Sequence, residues 1–161
     1  MVFSVHRILM PLHAPALVER LLPVVASLAK RYGASVLLVG FVDDGEARRQ
    51  AAEMASQIPG ADVAQMAEHE MAAAERRARE LVREVTRELR GQRIKVRSVL
   101  VRDDPEEAVL ALIGQERVDM IAMATRGRTG LARTLGGSLA DHLIRESGVP
   151  VVTVAEPPDD D

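Results

Sequence analysis

The chain of 161 residues contains no cysteine, and aromatic residues make up only 2% of it. The absence of cysteine excludes disulfides, thiolate metal sites and a cysteine nucleophile, and it suits a reducing compartment. Phe3, Tyr32 and Phe41 are the only aromatic residues, too few for the stacking platforms that hold single-stranded nucleic acid. Because the net charge of −3 also disfavours general binding of polyanions, we expect no nucleic-acid partner.

Long hydrophobic runs are missing as well. The most apolar early run, residues 21–29, is flanked by charges and is shorter than the roughly 20 apolar residues of a membrane-spanning helix. Arg7 interrupts the apolar start, which argues against a signal peptide, so we expect a cytoplasmic protein with no membrane partner. The length suits one domain over residues 1–155, followed by a disordered acidic tail at 156–161.

Hydrophobic periodicity predicts alternating strands and helices. Short apolar runs predict buried strands at residues 7–12, 35–42, 94–101, 118–124 and 149–154. Helical spacing predicts helices over residues 17–31, 62–90, 105–115 and 137–146, the third preceded by a cap at 103–104. Pro23 lies inside the first helical pattern, where it favours a kink or a late helix start. Residues 43–60 have few large apolar side chains and a Pro59-Gly60 breaker, which indicates a mobile connection in which a short helix is an open alternative.

This order of elements predicts an α/β fold, a five-stranded parallel open sheet with helices on both faces. In open sheets of this kind, ligands bind beyond the carboxyl ends of the strands, where the strand order reverses. Function is therefore expected in the loops after the first, second and fourth strands.

The loop after the fourth strand has the composition of an anion site. Residues 124–138 contain four glycines and three arginines, and no acidic residue occurs between Asp119 and Asp141. Glycines allow backbone N–H groups to approach a ligand closely, and a helix starting near Ser138 would add free N–H groups and its positive dipole end. The alternative is that the glycines only shape a long loop and that the arginines are solvated.

The spacing Ala124-x-x-Gly127, nine residues and then Gly137-Ser138 resembles the G-x-x-G-x9-G-S/T signature of the universal stress protein family. Similar segments extend over the whole chain, from RILMP near the start through VRDDPEEAVLAL to GRTGLARTLGGSLADHLIRESGVPVVTV. The resemblance implies a Rossmann-like fold of the adenine-nucleotide alpha hydrolase type and a stress-response function. It also implies ATP or another adenine nucleotide as ligand, with Mg as a further candidate.

The resemblance assigns nucleotide contacts residue by residue. Glycines and a hydroxyl hold the phosphates in nucleotide-binding members, and the backbone at the end of the second strand meets adenine. The matching positions in this chain are Pro11, Leu12, His13, Val42, Ala124, Arg126, Gly127, Arg128, Thr129, Gly130, Gly137 and Ser138.

Two positions depart from the family pattern. Ala124 stands where the first signature glycine would be, a small change. His13 stands where nucleotide-binding members commonly have an aspartate, and a neutral imidazole offers one acceptor in place of the several of a carboxylate. His13 could contact ribose or, when protonated, phosphate. The alternative is a partly exposed turn residue with no ligand role.

No catalytic group is evident in the sequence. Asp103 and Asp104 precede Pro105 as helix-capping residues, His142 fits packing on the last helix, and His69 fits a solvated charged face. The chain has neither a P-loop nor a Rossmann glycine fingerprint, and Met54, Met66 and Met71 fit core or interface packing. We therefore expect no enzyme, or at most very slow ATP hydrolysis.

The last strand, residues Val149 to Val154, is almost wholly apolar and would need covering if it lay at the sheet edge. The resemblance implies that it pairs with its copy in a homodimer. Two functions follow as hypotheses. The first is a homodimeric stress or energy sensor that binds an adenine nucleotide, and the second is a dimeric interaction module that binds no nucleotide.

Overall fold

The computed structural model describes residues 2–102, 104–125 and 138–156. The five strands are β1 (Arg7–Pro11), β2 (Ser35–Phe41), β3 (Val96–Val101), β4 (Met120–Thr125) and β5 (Val151–Ala155). The α-helices in these ranges are α1 (Val18–Tyr32), α2 (Asp44–Ser56), α3 (Val63–Gly91), α4 (Pro105–Gln115) and α5 (Ser138–Glu146). A 3-10 turn, Pro15–Leu17, leads into α1.

The strands form one parallel sheet in the order β3-β2-β1-β4-β5, which confirms the predicted α/β class. Apolar side chains alternate between the two faces of the sheet. Residues of α1 and α3 pack on one face, against Ile8, Met10 and Leu38. Residues of α4 and α5 pack on the other, against Leu9, Leu37 and Ile121. The strand order reverses between β1 and β4, so this is the switch point at which such sheets bind ligands.

Residues 43–60 contain a longer helix than the short one that the sequence left open for this connection. Asp43 accepts a hydrogen bond from the backbone N–H of Glu46 at 2.8 Å and thereby caps the 13-residue helix α2. The buried face of α2 consists of three alanines four residues apart, Ala47, Ala51 and Ala55. Because alanine contributes little to hydrophobic periodicity, this face gives a weak signal in the sequence.

The first helix also differs from one expectation, because α1 begins at Val18, five residues before Pro23, and no late start occurs. Helix α4 begins as expected at Pro105, with the Asp104 side chain accepting from the N–H of Glu106 at 2.9 Å. Asp103 lies outside the described residues. No helix in the described parts of the chain is both long and apolar enough to cross a membrane.

Candidate functional site

The carboxyl end of β1 delivers His13 to the switch point. Pro11 is paired with Val39 of β2, and the N–H of Leu12 continues this ladder by donating to the carbonyl of Val39 at 2.8 Å. Leu12 is buried, so the chain leaves the sheet only at His13. On the other side β1 pairs with β4, whose carboxyl end places the buried Ala124 at the same edge of the sheet. Pro11, Leu12, His13 and Ala124 therefore lie along one edge.

His13 keeps an unsatisfied polar atom in this position. Its Nδ1 is buried and has no hydrogen-bond partner among the described residues. Burial lowers the pKa of the imidazole below its ordinary value, and the backbone of Pro11 offsets this only in part. The ring is therefore mainly neutral at pH 7, with one nitrogen that donates and one that accepts.

Val42, immediately after β2, is buried, and its N–H donates to the carbonyl of Val101 at 2.8 Å. The sheet thus uses the only backbone donor of this residue. Any backbone contact between Val42 and a ligand must use the carbonyl oxygen, which can accept from an amino group.

A cleft of about 340 Å³ opens beside these strand ends. It lies between the ends of β1 and β2 and the facing sides of α2 and α3, and its size is at the lower end for small-molecule sites. Apolar residues form much of the wall, with polar groups among them. The lining residues are Leu12, Pro15, Gly40, Phe41, Asp43, Glu46, Ala47, Gln50, Ala74, Arg77, Ala78 and Leu81.

Ion pairs hold α2 and α3 to the end of β3. Arg102 donates to the carboxylate of Asp44 at 3.1 and 3.2 Å and also pairs with Glu75 of α3. A hydrogen bond from Arg79 and the charge of Arg102 lower the pKa of Glu75. Likewise, hydrogen bonds from Arg49 and Gln50 lower the pKa of Glu46 at the cleft. Both carboxylates are therefore ionised at neutral pH.

Most of the predicted phosphate loop belongs to the part of the chain that the structure does not describe. Arg126, Gly127, Arg128, Thr129, Gly130 and Gly137 lie outside the described residues. Helix α5 begins at Ser138, one residue after the predicted start at Gly137, and the side chain of Ser138 is also outside the description. Helix α5 is the next described element after β4, and the N–H groups of its first turn have no acceptor within the helix.

Two histidines outside the sheet edge, His142 and His69, lie in surroundings that indicate no catalytic role. His142 lies on α5 with its Nδ1 at 3.5 Å from a carboxylate oxygen of Glu106 on α4, and His69 is exposed on α3. Within the described ranges, no group of three or more His, Cys, Asp or Glu side chains could hold a metal ion. The sequence did not single out the cleft residues that lie on α2, because its pattern indicated no more than a short helix in that connection.

The geometry defines a doubly wound α/β domain with a candidate ligand site at its switch point. The profile of the universal stress protein family matches residues 4–155, and the chain belongs to that family.

The relatives agree with this assignment. Universal stress protein MJ0577 of Methanocaldococcus jannaschii is 31% identical over 77 residues, so the aligned segment spans about half of each chain. Its solved structure superposes with a TM-score of 0.73 at 23% identity, covering 98% of this chain and 100% of that one.

Two further solved structures contain ligands. A universal stress protein in complex with cAMP has a TM-score of 0.65 at 13% identity and covers 94% of this chain and 97% of that chain. The universal stress protein from Archaeoglobus fulgidus in complex with dAMP has a TM-score of 0.59 at 16% identity, with coverage of 94% and 98%. At these identities the likeness concerns the fold.

Proposed function

We propose that the chain binds an adenine nucleotide, such as ATP or AMP, at the carboxyl edge of its sheet and acts as a homodimeric stress or energy sensor. The observation that carries the proposal is the Nδ1 of His13 at the switch point, which is buried and has no hydrogen-bond partner among the described residues; the preceding residue, Leu12, lines the cleft. A buried polar atom without a partner costs free energy that a ligand hydroxyl would recover. The complexes of two fold relatives with cAMP and dAMP support this class of ligand.

The chemistry of the edge suits a nucleoside in three respects. The neutral His13 ring can exchange one hydrogen bond with a ribose hydroxyl. The Val42 carbonyl can accept from the amino group of adenine, and the aliphatic cleft can pack against a base. In this proposal residues 126–130 and 137–138 bind the phosphates, as the family signature implies, and a Mg²⁺ ion enters only with the phosphates.

Turnover is not part of the proposed function. Hydrolysis needs a positioned base or a metal-bound water. His13, whose Nδ1 is free among the described residues, is assigned in this proposal to a ribose hydroxyl and not to the water that would attack a phosphate. We therefore expect slow ATP hydrolysis at most, and we propose that the sensor responds to nucleotide binding itself.

Calorimetric titration of the purified protein with ATP and AMP, each with and without Mg²⁺, tests the proposal. His13→Ala should weaken binding by roughly fivefold, the size of one hydrogen bond. The matched control is His6→Ala, because His6 is an exposed histidine before β1, at the opposite end of that strand. Absence of heat at high micromolar concentrations of folded protein would refute nucleotide binding. Mass spectrometry of small molecules released from freshly purified, denatured protein would identify a resident nucleotide.

A second candidate function is a dimeric interaction module that binds no nucleotide. It is favoured by the same position, since His13 replaces the carboxylate that nucleotide-binding members commonly have. His13→Asp distinguishes the two functions. If the parent binds no nucleotide and the Asp variant does, the interaction module is the better account.

A further inference from the structure

Helices α2 and α3 form a hairpin that extends beyond the sheet. Helix α3 has 29 residues and is therefore about 43 Å long, whereas the seven residues of β2 span roughly 23 Å. Its buried residues, Val82, Val85 and Leu89, all lie in the last third of the helix. Helix α3 as a whole packs more extensively on α2 than on β2 or β3. Since α2 leaves the carboxyl end of β2, the hairpin projects on the side of the candidate ligand site.

The far end of this hairpin exposes apolar side chains. We define the hairpin tip as residues 53–71. Met54, Ile58 and Val63 are 46%, 52% and 49% exposed, although they are large and apolar. Backbone hydrogen bonds from the N–H of Gln57 to the carbonyl of Met54 and from the N–H of Ala61 to the carbonyl of Ile58 hold the turn that joins the two helices. Neither core cluster contains Met54, Met66 or Met71, so the core alternative is wrong for them and interface packing stays a prediction.

The charge at the tip has one sign. Between Arg49 and Arg76 the sequence has no lysine or arginine, and it has five acidic residues. Those five are Glu53, Asp62, Glu68, Glu70 and Glu75. Asp62 caps α3 through the N–H of Gln65 at 3.1 Å, and Glu75 pairs with Arg79 and Arg102. Helix capping and ion pairing therefore account for these two only.

The remaining acids have no structural role that the fold explains. Glu53 lies in the last turn of α2, where the helix dipole disfavours a carboxylate. Glu68 is exposed on α3, and no ion pair of Glu53, Glu68 or Glu70 occurs within the described residues. A short segment that carries exposed apolar side chains together with uncompensated carboxylates suits a basic, amphipathic partner.

We propose that the hairpin tip is a docking surface for a basic amphipathic helix of a partner protein. The apolar face of that helix packs on Met54, Ile58 and Val63, and its lysines or arginines face Glu53, Glu68 and Glu70. Flexible methionine side chains such as Met54 adapt well to apolar surfaces of different shapes. An anionic membrane does not fit, because the carboxylates would be repelled by the lipid headgroups. Docking here leaves the carboxyl edge of the sheet free, so the surface is separate from the proposed nucleotide site.

Fluorescence anisotropy with a labelled synthetic peptide tests the proposal on the full chain. The probe is an amphipathic helix of leucine and lysine, about 18 residues or five turns long. The control probe has glutamate in place of every lysine. The lysine peptide should bind, added NaCl should weaken its binding, and the glutamate peptide should not bind. Failure of the lysine peptide to bind, or equal binding of both peptides, would overturn the proposal.

Variants locate the binding surface. Ile58→Ser with Met54→Gln removes apolar contact, and Glu53→Lys with Glu68→Lys reverses the charge. Each pair should weaken binding of the lysine peptide roughly tenfold or more. The controls are Tyr32→Gln, another exposed apolar side chain, and Glu80→Lys with Glu84→Lys, two exposed acids nearer the sheet on α3. Equal weakening in the controls would refute the tip as the site, and circular dichroism verifies that every variant is folded.

Discussion

Gly40 of β2 lies directly beneath Val82 of α3. A Cβ atom at Gly40 would come within 2.7 Å of Val82 Cγ2 and, equally, of Leu100 Cδ2. Because Gly40 has no side chain, α3 packs closely on the sheet at the point where the α2–α3 hairpin begins to project. The position of the hairpin, and with it one wall of the cleft, depends on this close approach.

Gly40→Ala should therefore destabilise the protein, by about 1–3 kcal/mol for an overpacked core contact. Chemical denaturation followed by circular dichroism measures the change in the free energy of unfolding. Gly114→Ala is the matched control, because a Cβ at this α4 position meets nothing within 4 Å, and alanine favours a helix interior over glycine by up to about 1 kcal/mol. Comparable destabilisation by the two substitutions would contradict the packing role of Gly40.

Asp119 joins the start of β4 to the start of β1. Its Oδ2 accepts from the N–H groups of His6 at 2.7 Å and Arg7 at 3.0 Å. Asp119→Ala leaves both donors without this partner and should cost about 1–3 kcal/mol of stability. Asp119→Asn keeps one carbonyl oxygen and should cost less. If the alanine and asparagine variants unfold at the same denaturant concentration, the carboxylate does not act as this acceptor.

Much of the fold is predictable from the sequence, because the strands are buried on both faces and give continuous apolar runs. The predicted bounds 35–42 and 118–124 therefore agree with those of β2 and β4 to within two residues. The full length of helix α2 was not predicted because its buried face is made of alanines, and the cleft residues that it contributes were not predicted either. At the site, the strand ends at His13, Val42 and Ala124 follow from the parallel topology. Two features of the site depend on three-dimensional contacts that no local pattern encodes. The Nδ1 of His13 has no partner among the described residues, and the N–H of Val42 is already bonded to the carbonyl of Val101.

The buried imidazole of His13 should make stability depend on pH. Its pKa is lowered in the folded state, chiefly by burial, so the unfolded chain binds a proton more readily. The contribution of the neutral ring to stability is fully present above the unfolded pKa of about 6.5 and is lost as the pH falls through the lower folded value. Denaturation midpoints at about pH 7.5 and about pH 5, one above and one below this unfolded pKa, should differ more for the parent than for His13→Asn. An equal loss in both proteins would show that His13 does not carry this dependence.

The outer edge of β5 should control self-association. The N–H of Ile121 donates to the carbonyl of Pro150 at 2.9 Å, and that of Glu156 to the carbonyl of Thr125 at 3.0 Å. Since bonding alternates along a parallel ladder, the N–H groups of Val151, Thr153 and Ala155 point away from β4. They are available to a second copy of this apolar strand, as the proposed homodimer requires.

Thr153→Pro removes one of these outward donors without touching the β4–β5 ladder, and proline is tolerated on an edge strand. The proposed dimer should then dissociate at concentrations where the parent remains associated, as measured by analytical ultracentrifugation. Thr153→Val is the control, because it keeps the N–H and should leave the dimer intact. A parent that sediments as a monomer, or a proline variant that associates as strongly as the valine variant, would rule out pairing through this edge.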